Sequence, residues 1–243
     1  MVRFFLRTPL FLLFLLMAFG MKAQEAAPVV TFYSIDEESD VELTPGESQT
    51  AQAPLEITCR ANIDDDLGHY RPICEWRIFN SDKGEDSPIL TRFDQDIRYT
   101  LNHSGGYGIK LYVSFVDTED EQADTIEYES EVINVVISES KLTCPDGFSP
   151  NGDGVNDVFT FQHQSIVKLS GGVFNRWGQK LHTFTLENFD KGWDGRQGGD
   201  YVKDGAYLLN IDAVGSDGLH YKIKKTINVL KGFREANSSG GGI

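Results

Sequence analysis

The chain reads as short runs in which apolar and polar residues alternate, separated by Gly, Pro, Asn and Asp. Apolar spacing typical of helices is nearly absent. The longest run, residues 105–116, places five apolar side chains on one strand face: Tyr107, Ile109, Leu111, Val113 and Phe115. Short strands bounded by turn residues are typical of β-sandwiches. The pattern predicts an all-β protein made of two Ig-like antiparallel β-sandwiches in tandem.

The N-terminus reads as an export signal. Arg3 and Arg7 precede an apolar run at 10–19. That run is shorter than the roughly 20 apolar residues of a membrane span, so we favour a cleaved signal peptide at 1–23 over a membrane anchor. The chain is then expected to leave the cytoplasm for the periplasm, the outer membrane or the cell surface, with no transmembrane span after cleavage.

Charge divides the rest of the chain in two. Residues 24–140 hold 26 acidic and 7 basic residues, a formal charge of −19, whereas residues 141–243 hold 11 and 12, a charge of +1. Such an acidic first half repels nucleic acid. The change falls at 141–147, where Pro145 interrupts any strand. We therefore predict a front domain at 28–140, a back domain at 144–233 and a flexible tail at 234–243.

In the front half, Trp76 lies in the run CEWRIF, and Tyr107 follows a Gly-Gly pair further on. These two segments resemble the polycystic-kidney-disease-type (PKD) immunoglobulin-like module, which implies a sandwich with both aromatic side chains in its core. The Gly-Asp-Gly hairpin usual in that family is replaced here by residues 81–86.

Two of the three cysteines could form a disulfide. Cys59 and Cys74 are expected on consecutive strands, and an exported chain meets an oxidising compartment. A bridge between them would stabilise the fold by roughly 3 kcal/mol in the chain-entropy model. Buried free thiols are the alternative, and Cys144 is left over in either case.

In the back half, residues 157–162 alternate and predict a strand. Residues 167–184 predict a hairpin with Trp177-Gly178 at its turn. The Asp194-Gly195 pair favours a second hairpin turn with Trp193 buried beside it. Two long strands follow at 204–214 and 218–230.

Residues 148–159, FSPNGDGVNDVF, are rich in turn formers and oxygen ligands. Calcium takes six to eight oxygens, and four side chains here could supply them: Asn151, Asp153, Asn156 and Asp157. The alternative is a tight turn, because Asn and Asp bond their own backbone and Gly supplies positive φ. Phe148 and Phe159 would then hold the loop ends in the core.

Lysines cluster on the last strand and beyond it: Lys222, Lys224, Lys225 and Lys231. Alternation places Lys222 and Lys224 on one face, opposite Tyr221 and Ile223. An exposed lysine row blunts an edge strand against pairing. The functional alternative is a docking face for an anionic partner.

Five ordered motifs, FSPNGDGVNDVF, VFNRWGQKL, WDGR, DGAYLLNIDA and YKIKKTINVLKGF, resemble the gliding-motility-associated, or type B, C-terminal domain of Bacteroidota proteins. The resemblance covers about residues 144–233. It implies a sorting domain without catalysis, recognised by shuttle proteins and the outer-membrane translocon of the type IX secretion system. In some relatives the domain is cleaved off and replaced by a surface glycolipid. The translocon and this anionic glycolipid are the partners that the resemblance implies for a docking face at the lysines.

No HExxH, GxSxG or P-loop pattern occurs, and the five histidines are scattered. Asp64, Asp65, Asp66 and His69 could bind a metal, but a solvated loop is favoured. We therefore expect no enzyme. Two functions stay open: an accessory or signalling protein acting by protein–protein contact, similar to PorA-like accessory proteins and meeting the machinery or its regulatory sensor, or an adhesin or carbohydrate-binding module carried as cargo.

Overall fold

The computed structural model describes residues 26–64, 67–120, 122 and 125–232. The expected signal peptide and tail lie outside these residues. The described chain is almost entirely β-strand with a single 3₁₀ turn, which confirms the all-β prediction. No helix in this part of the chain is long or apolar enough to span a bilayer.

Ten strands build the front unit: β1 (Val29–Ser34), β2 (Ser39–Leu43), β3 (Ser48–Ala51), β4 (Leu55–Arg60), β5 (Tyr70–Asn80), β6 (Pro88–Arg92), β7 (Asp96–Leu101), β8 (Gly105–Asp117), β9 (Ile126–Glu129) and β10 (Ile133–Ile137). One sheet has the order β2-β1-β4-β7. The other has the order β3-β10-β8-β5-β6, with β9 beside β8. All pairs are antiparallel except β3 with β10, which run parallel.

The core of the front unit is formed by apolar side chains at every second position of its strands, because every second side chain of a strand points to the same face. The five apolar residues predicted to share one face of β8 are all buried. Trp76 is fully buried between the sheets, and its Nε1 donates to the carbonyl of Gln95 at 3.1 Å. Tyr107 is buried too and donates to the carbonyl of His103 at 2.9 Å. The core roles predicted for both aromatic residues are confirmed.

Nine strands build the back unit: β11 (Lys141–Thr143), β12 (Gly147–Phe148), β13 (Gln162–Gln164), β14 (Ile166–Phe174), β15 (Lys180–Thr185), β16 (Arg196–Gln197), β17 (Asp200–Tyr201), β18 (Gly205–Gly215) and β19 (His220–Val229). Its main sheet has the order β12-β19-β18-β14-β15, while β11 pairs with β13 and β16 with β17. The 3₁₀ turn spans Phe189–Lys191. The predicted hairpin at 167–184 and the last two strands are confirmed.

The layer that covers the main sheet of the back unit comes largely from loops. Its buried aromatic side chains are Phe159, Phe161, Phe189 and Trp193, and Phe148 of β12 packs against Phe159 and Trp193. Trp193 is the largest of them, and its Nε1 donates to the carbonyl of Arg196 at 2.9 Å. The second core of the chain is therefore a sheet closed by loop aromatics and short two-stranded ribbons.

Two local predictions in the back unit were wrong. Residues 157–162 form no continuous strand: Phe159 makes an isolated bridge to Trp193, and only Gln162 enters β13. Phe159 and Phe161 are buried as the alternation suggested, but a strand also needs a continuous partner, and none lies beside them. The hairpin turn between β16 and β17 falls at Gly198-Gly199, where both φ angles are positive, and not at Asp194-Gly195.

Two buried serines join the units. Ser165 Oγ accepts the N–H of Ala53 at 3.2 Å, and Ser216 Oγ donates to the carbonyl of Ser138 at 2.9 Å. The carbonyl of Ser216 also accepts the N–H of Ser104 at 3.0 Å. Because both serines are almost fully buried, these bonds are shielded from competing water.

Candidate functional site

The Asn-Gly-Asp-Gly loop folds around one carboxylate. Asp157 Oδ1 accepts the backbone N–H of Gly152 at 2.6 Å and of Asn151 at 2.9 Å, while Oδ2 accepts that of Gly154 at 2.8 Å. Gly152, Gly154 and Asn156 all have positive φ, which turns successive N–H groups inward. The N–H groups, that of Gly152 foremost, hold the pKa of Asp157 below its ordinary value.

The second carboxylate of the loop is also occupied from within. Asp153 Oδ1 accepts the N–H of Val155 at 2.9 Å, and Oδ2 accepts from Asn151 Nδ2 at 2.9 Å. Both acidic side chains thus face donors of their own loop, as a tight turn requires. A calcium ion would compete with those donors for the same oxygens. The geometry supports the turn, and calcium binding stays a prediction.

Aromatic side chains fix the ends of this loop. The ring of Phe148 lies 5.9 Å from that of Phe159 and 5.5 Å from that of Trp193. Gly195 packs against this group: a Cβ there would lie 3.2 Å from Phe148 and 3.0 Å from Pro150. The loop is therefore part of the folded core, and its motif has a structural cause independent of any ligand.

The four lysines do not form one patch. Lys222 and Lys224 are exposed on β19, opposite Asp212 and Asn210 of β18.

Lys225 points the other way, as its position in the alternation requires. It forms an ion pair with Asp146 at 2.6 Å and donates to the carbonyl of Cys144 at 3.2 Å. The ion pair with Asp146 raises the pKa of Lys225. Lys231, beyond the strand, lies 3.7 Å from Asp204. Only Lys222 and Lys224 present a shared surface.

The edge of β19 is largely open, because β12 pairs with it only at Asn228–Val229. Lys222 and Lys224 lie within this open stretch of β19, which agrees with the predicted role of protecting the edge strand against pairing. Their part in docking stays a prediction.

The cysteines are free thiols in this structure. Cys59 on β4 and Cys74 on β5 are buried in one core but belong to different sheets. Burial raises the pKa of Cys59 to about 12. The pairing of Cys59 with Cys74 stays a prediction for the oxidised protein.

The acidic cluster beside His69 falls partly outside the described residues, which lack Asp65 and Asp66. His69 Nε2 lies 3.3 Å from Asp117 Oδ2, a partner that belongs to β8. In the part of the chain that the structure describes, no group of three His, Cys, Asp or Glu side chains is placed to hold a metal ion.

The structure reveals one surface to which the sequence assigned no function. At the tip of the β14–β15 hairpin, Trp177 is 81% exposed. It borders a cleft of about 310 Å³ that Arg176, Tyr201, Lys203 and Tyr207 also line. We call this surface the Trp177 cleft. A signal existed in the sequence: the centre of a tight turn is exposed, and polar residues or Gly usually occupy it, so a Trp there is unusual.

Together, the fold and these surfaces define an all-β chain of two joined units, the second of which displays a tight polar loop and an exposed tryptophan. Comparison with known families assigns that second unit: residues 142–229 match the CHU_C type IX secretion signal domain. The match spans a little over a third of the chain and confirms the resemblance to type IX sorting domains. It implies contact with the type IX secretion machinery and export to the cell surface or beyond.

Solved structures give weaker likenesses. Dimeric latent PorU from Porphyromonas gingivalis is 13% identical with a TM-score of 0.24; the match covers 84% of this chain and 20% of PorU. The surface glycan-binding protein SGBP-B of the Bacteroides ovatus mixed-linkage glucan locus is 14% identical with a TM-score of 0.25, covering 75% of this chain and 42% of that one.

A tetra-tandem repeat from the extending region of a large adhesion protein is 10% identical with a TM-score of 0.25, covering 86% of this chain and 68% of that one. At such TM-scores none of the three carries an argument about this chain. No curated protein matches it.

Proposed function

We propose that this chain is an exported, non-enzymatic accessory protein of the type IX secretion system, of the PorA-like kind. Its back unit is the sorting signal that the secretion machinery recognises. Its front unit acts by protein–protein contact with the translocon, an outer-membrane shuttle protein or a regulatory sensor. The observation that carries the proposal is the match of residues 142–229 to the type IX secretion signal domain.

The construction of the back unit supports an addressing role. Its core is separate from that of the front unit, so it can fold around its own aromatic side chains. Its loop motif is satisfied internally by Asp157 and Asp153. A signal that must be recognised in folded form benefits from such rigid local structure, because little entropy is then lost on binding.

The front unit offers a surface suited to contact. Lys110 is nearly buried on β8, and it pairs with Glu85 at 2.8 Å and with Glu129. Arg77 lies 4.4 Å from the ring centre of Tyr112, whose hydroxyl donates to Glu85 at 3.1 Å. This ordered network of charges around an aromatic ring would give a partner fixed polar groups to meet.

The test is a comparison of two strains. In the first, the chain is truncated before Cys144 but keeps its signal peptide; we expect it to remain in the periplasm while the full chain reaches the outer membrane or the medium. In the second, the gene is deleted, and we expect altered export of unrelated cargo or altered expression of the machinery. Efficient export of the truncated chain would refute the addressing role.

The second strain also separates the accessory role from the alternative. Normal export and regulation in the deletion strain, together with glycan binding by the purified chain, would favour an adhesin or carbohydrate-binding cargo. Crosslinking of the front unit to a component of the machinery is the result expected from the accessory role.

A further inference from the structure

The tip that carries Trp177 is rigid. Asn175 Oδ1 accepts the N–H groups of Trp177 and Gln179, each at 3.0 Å, and Asn175 Nδ2 donates to Gln179 Oε1 at 2.9 Å. Gly178 takes a positive φ to close the turn. These hydrogen bonds fix the backbone of the turn and so place Trp177 at its exposed tip, which lowers the backbone entropy that a partner would have to freeze on binding.

The wall opposite Trp177 is also fixed. Tyr207 packs edge-on against buried Trp193 with ring centres 6.1 Å apart, and its hydroxyl donates to the carbonyl of Lys203 at 2.6 Å. Tyr201, 44% exposed, stacks under the guanidinium of Arg196 at 4.0 Å. The Trp177 cleft therefore combines rigid Trp and Tyr side chains, the residue types that dominate binding at protein interfaces.

Charge identifies what fits there. Arg176 and Lys203 line the cleft, and neither forms an ion pair with any residue that the structure describes. Asp204, the acidic side chain on the same wall, already faces Lys231 at 3.7 Å. Two cations that lack an ion-pair partner among the described residues thus flank an exposed tryptophan, and the Arg176 guanidinium lies 5.5 Å from the centre of the Trp177 ring. This arrangement favours an anionic partner.

We propose that the Trp177 cleft is the surface by which the export machinery recognises the back unit. Its occupant is an acidic protein segment with an apolar or aromatic side chain that stacks on Trp177, while its carboxylates meet Arg176 and Lys203. This inference rests on the proposed function, since it names the partner contact of the same addressing domain.

The chain itself offers one competing occupant. The turn between β1 and β2 exposes Ile35, 60% accessible, beside Asp36, Glu37 and Glu38. A second copy could place this acidic turn in the cleft, and such a head-to-tail contact would produce rings or filaments. We commit to the machinery as occupant and make self-association an outcome of the test.

The experiment uses the full chain in a secreting strain, with Trp177→Ala, Trp177→Tyr and Arg176→Glu. The matched control is Lys168→Glu, which makes the same charge change at an exposed position of β14 that does not line the cleft. A photo-crosslinking amino acid at position 177 reports the partner, and the melting temperature of each purified variant reports folding. For loss of an anchor residue we expect export to fall at least about tenfold in Trp177→Ala and Arg176→Glu, with periplasmic accumulation and unchanged melting.

Trp177→Tyr should keep much of the export, and Lys168→Glu all of it. The crosslinked protein should be a component of the secretion machinery, with a yield that falls as salt is raised. Export of Trp177→Ala at the normal level, while truncation before Cys144 still blocks export, would overturn this inference and leave the proposed function standing. Crosslinking of position 177 to a second copy, or glycan binding lost in Trp177→Ala, would likewise overturn it.

Discussion

Asp157 Oδ1 accepts the backbone N–H of Gly152 at 2.6 Å, and this contact organises the loop by which the back unit begins. Two further N–H groups meet the same carboxylate. The loop motif is therefore explained by a carboxylate that replaces missing backbone partners, in the way an N-cap side chain does at a helix.

Replacing this carboxylate should loosen the loop. We expect Asp157→Ala to lower the melting temperature of the full chain, because three N–H groups lose their acceptor. Asp212→Asn, which removes an exposed carboxylate from the face of β18, is the charge-matched control and should leave the melting temperature unchanged. Differential scanning calorimetry checks both.

The pKa of Asp157 gives the sign of the acid effect. Since its folded pKa lies below its ordinary value of 3.8, its contribution to stability is complete above that value and is lost as pH falls through the folded pKa. Asp157→Ala should lack this part of the acid transition.

Calcium should leave the melting temperature of the wild type unchanged if the loop is only a turn. A rise in the melting temperature with calcium that Asp157→Ala abolishes would establish the calcium site.

The two tryptophans of the back unit should differ sharply in their contribution to stability. Trp193 is 1% exposed and Trp177 81%. Truncating a buried Trp to Ala costs about 3–5 kcal/mol, whereas surface changes stay within about 0.5 kcal/mol. We therefore expect Trp193→Ala to unfold the back unit or destabilise it by that amount, and Trp177→Ala to leave it intact. Urea denaturation followed by circular dichroism gives both values, and equal losses would contradict the burial pattern.

We expect His182 to make the back unit sensitive to mild acid. Its Nε2 is buried without a hydrogen-bond partner among the described residues, and its ring lies 4.6 Å from that of Phe184. Burial lowers the pKa of His182 below its ordinary value of 6.5. Its favourable contribution is therefore complete above that value and is lost as pH falls below it, because the unfolded chain takes up the proton first.

His182→Phe should remove this part of the pH dependence between about pH 7.5 and about pH 5. His163 is the control, because it is a second histidine of the back unit whose Nε2 has a partner, Asp190 Oδ1 at 2.7 Å. Thermal melts of wild type, His182→Phe and His163→Gln across that range test the prediction. An unchanged slope in His182→Phe would show that another group causes the acid effect.

Thiol chemistry should distinguish the three cysteines. With its pKa raised to about 12 by burial, Cys59 is almost entirely protonated at neutral pH and should be the least reactive in the folded, reduced chain. Half-buried Cys144 should react first with an iodoacetamide probe, and denaturant should expose the other two.

For the chain recovered from its export compartment, we predict a bridge between Cys59 and Cys74, read by mass spectrometry without reduction. Cys59→Ala and Cys74→Ala should each lower the melting temperature of the oxidised protein more than that of the reduced one, in which only the buried packing of the thiol is lost. Two free thiols in the exported chain would refute the bridge.

The alternation of apolar and polar residues in the sequence predicted most of the fold. It predicted the buried face of β8, because every second side chain of a strand points to the same face. The core position of Trp76 followed instead from the resemblance to the PKD-type module. Reasoning from alternation failed at residues 157–162, where Phe159 and Phe161 are buried without a ladder. Alternation reports burial, but a strand also needs a backbone partner, which only the packed chain supplies.

The partners of charged and polar side chains could not be predicted from the local sequence. Lys225 sits in the sequence among lysines that are exposed, yet its partner is Asp146, far away along the chain. The same holds for the serines at the junction, since Ser165 meets Ala53 of the other unit. Pairs of this kind depend on which surfaces come together and leave no periodic trace.

The tryptophans mark the division most clearly. The sequence by itself determined that both Trp177 and Trp193 lie beside glycine-containing turns, because Gly tolerates the positive φ that such turns require. Only the tertiary structure decided that Trp193 is enclosed by Phe148 and Phe159 while Trp177 stands in solvent. Burial depends on neighbours brought from distant parts of the chain, and a local motif cannot specify them.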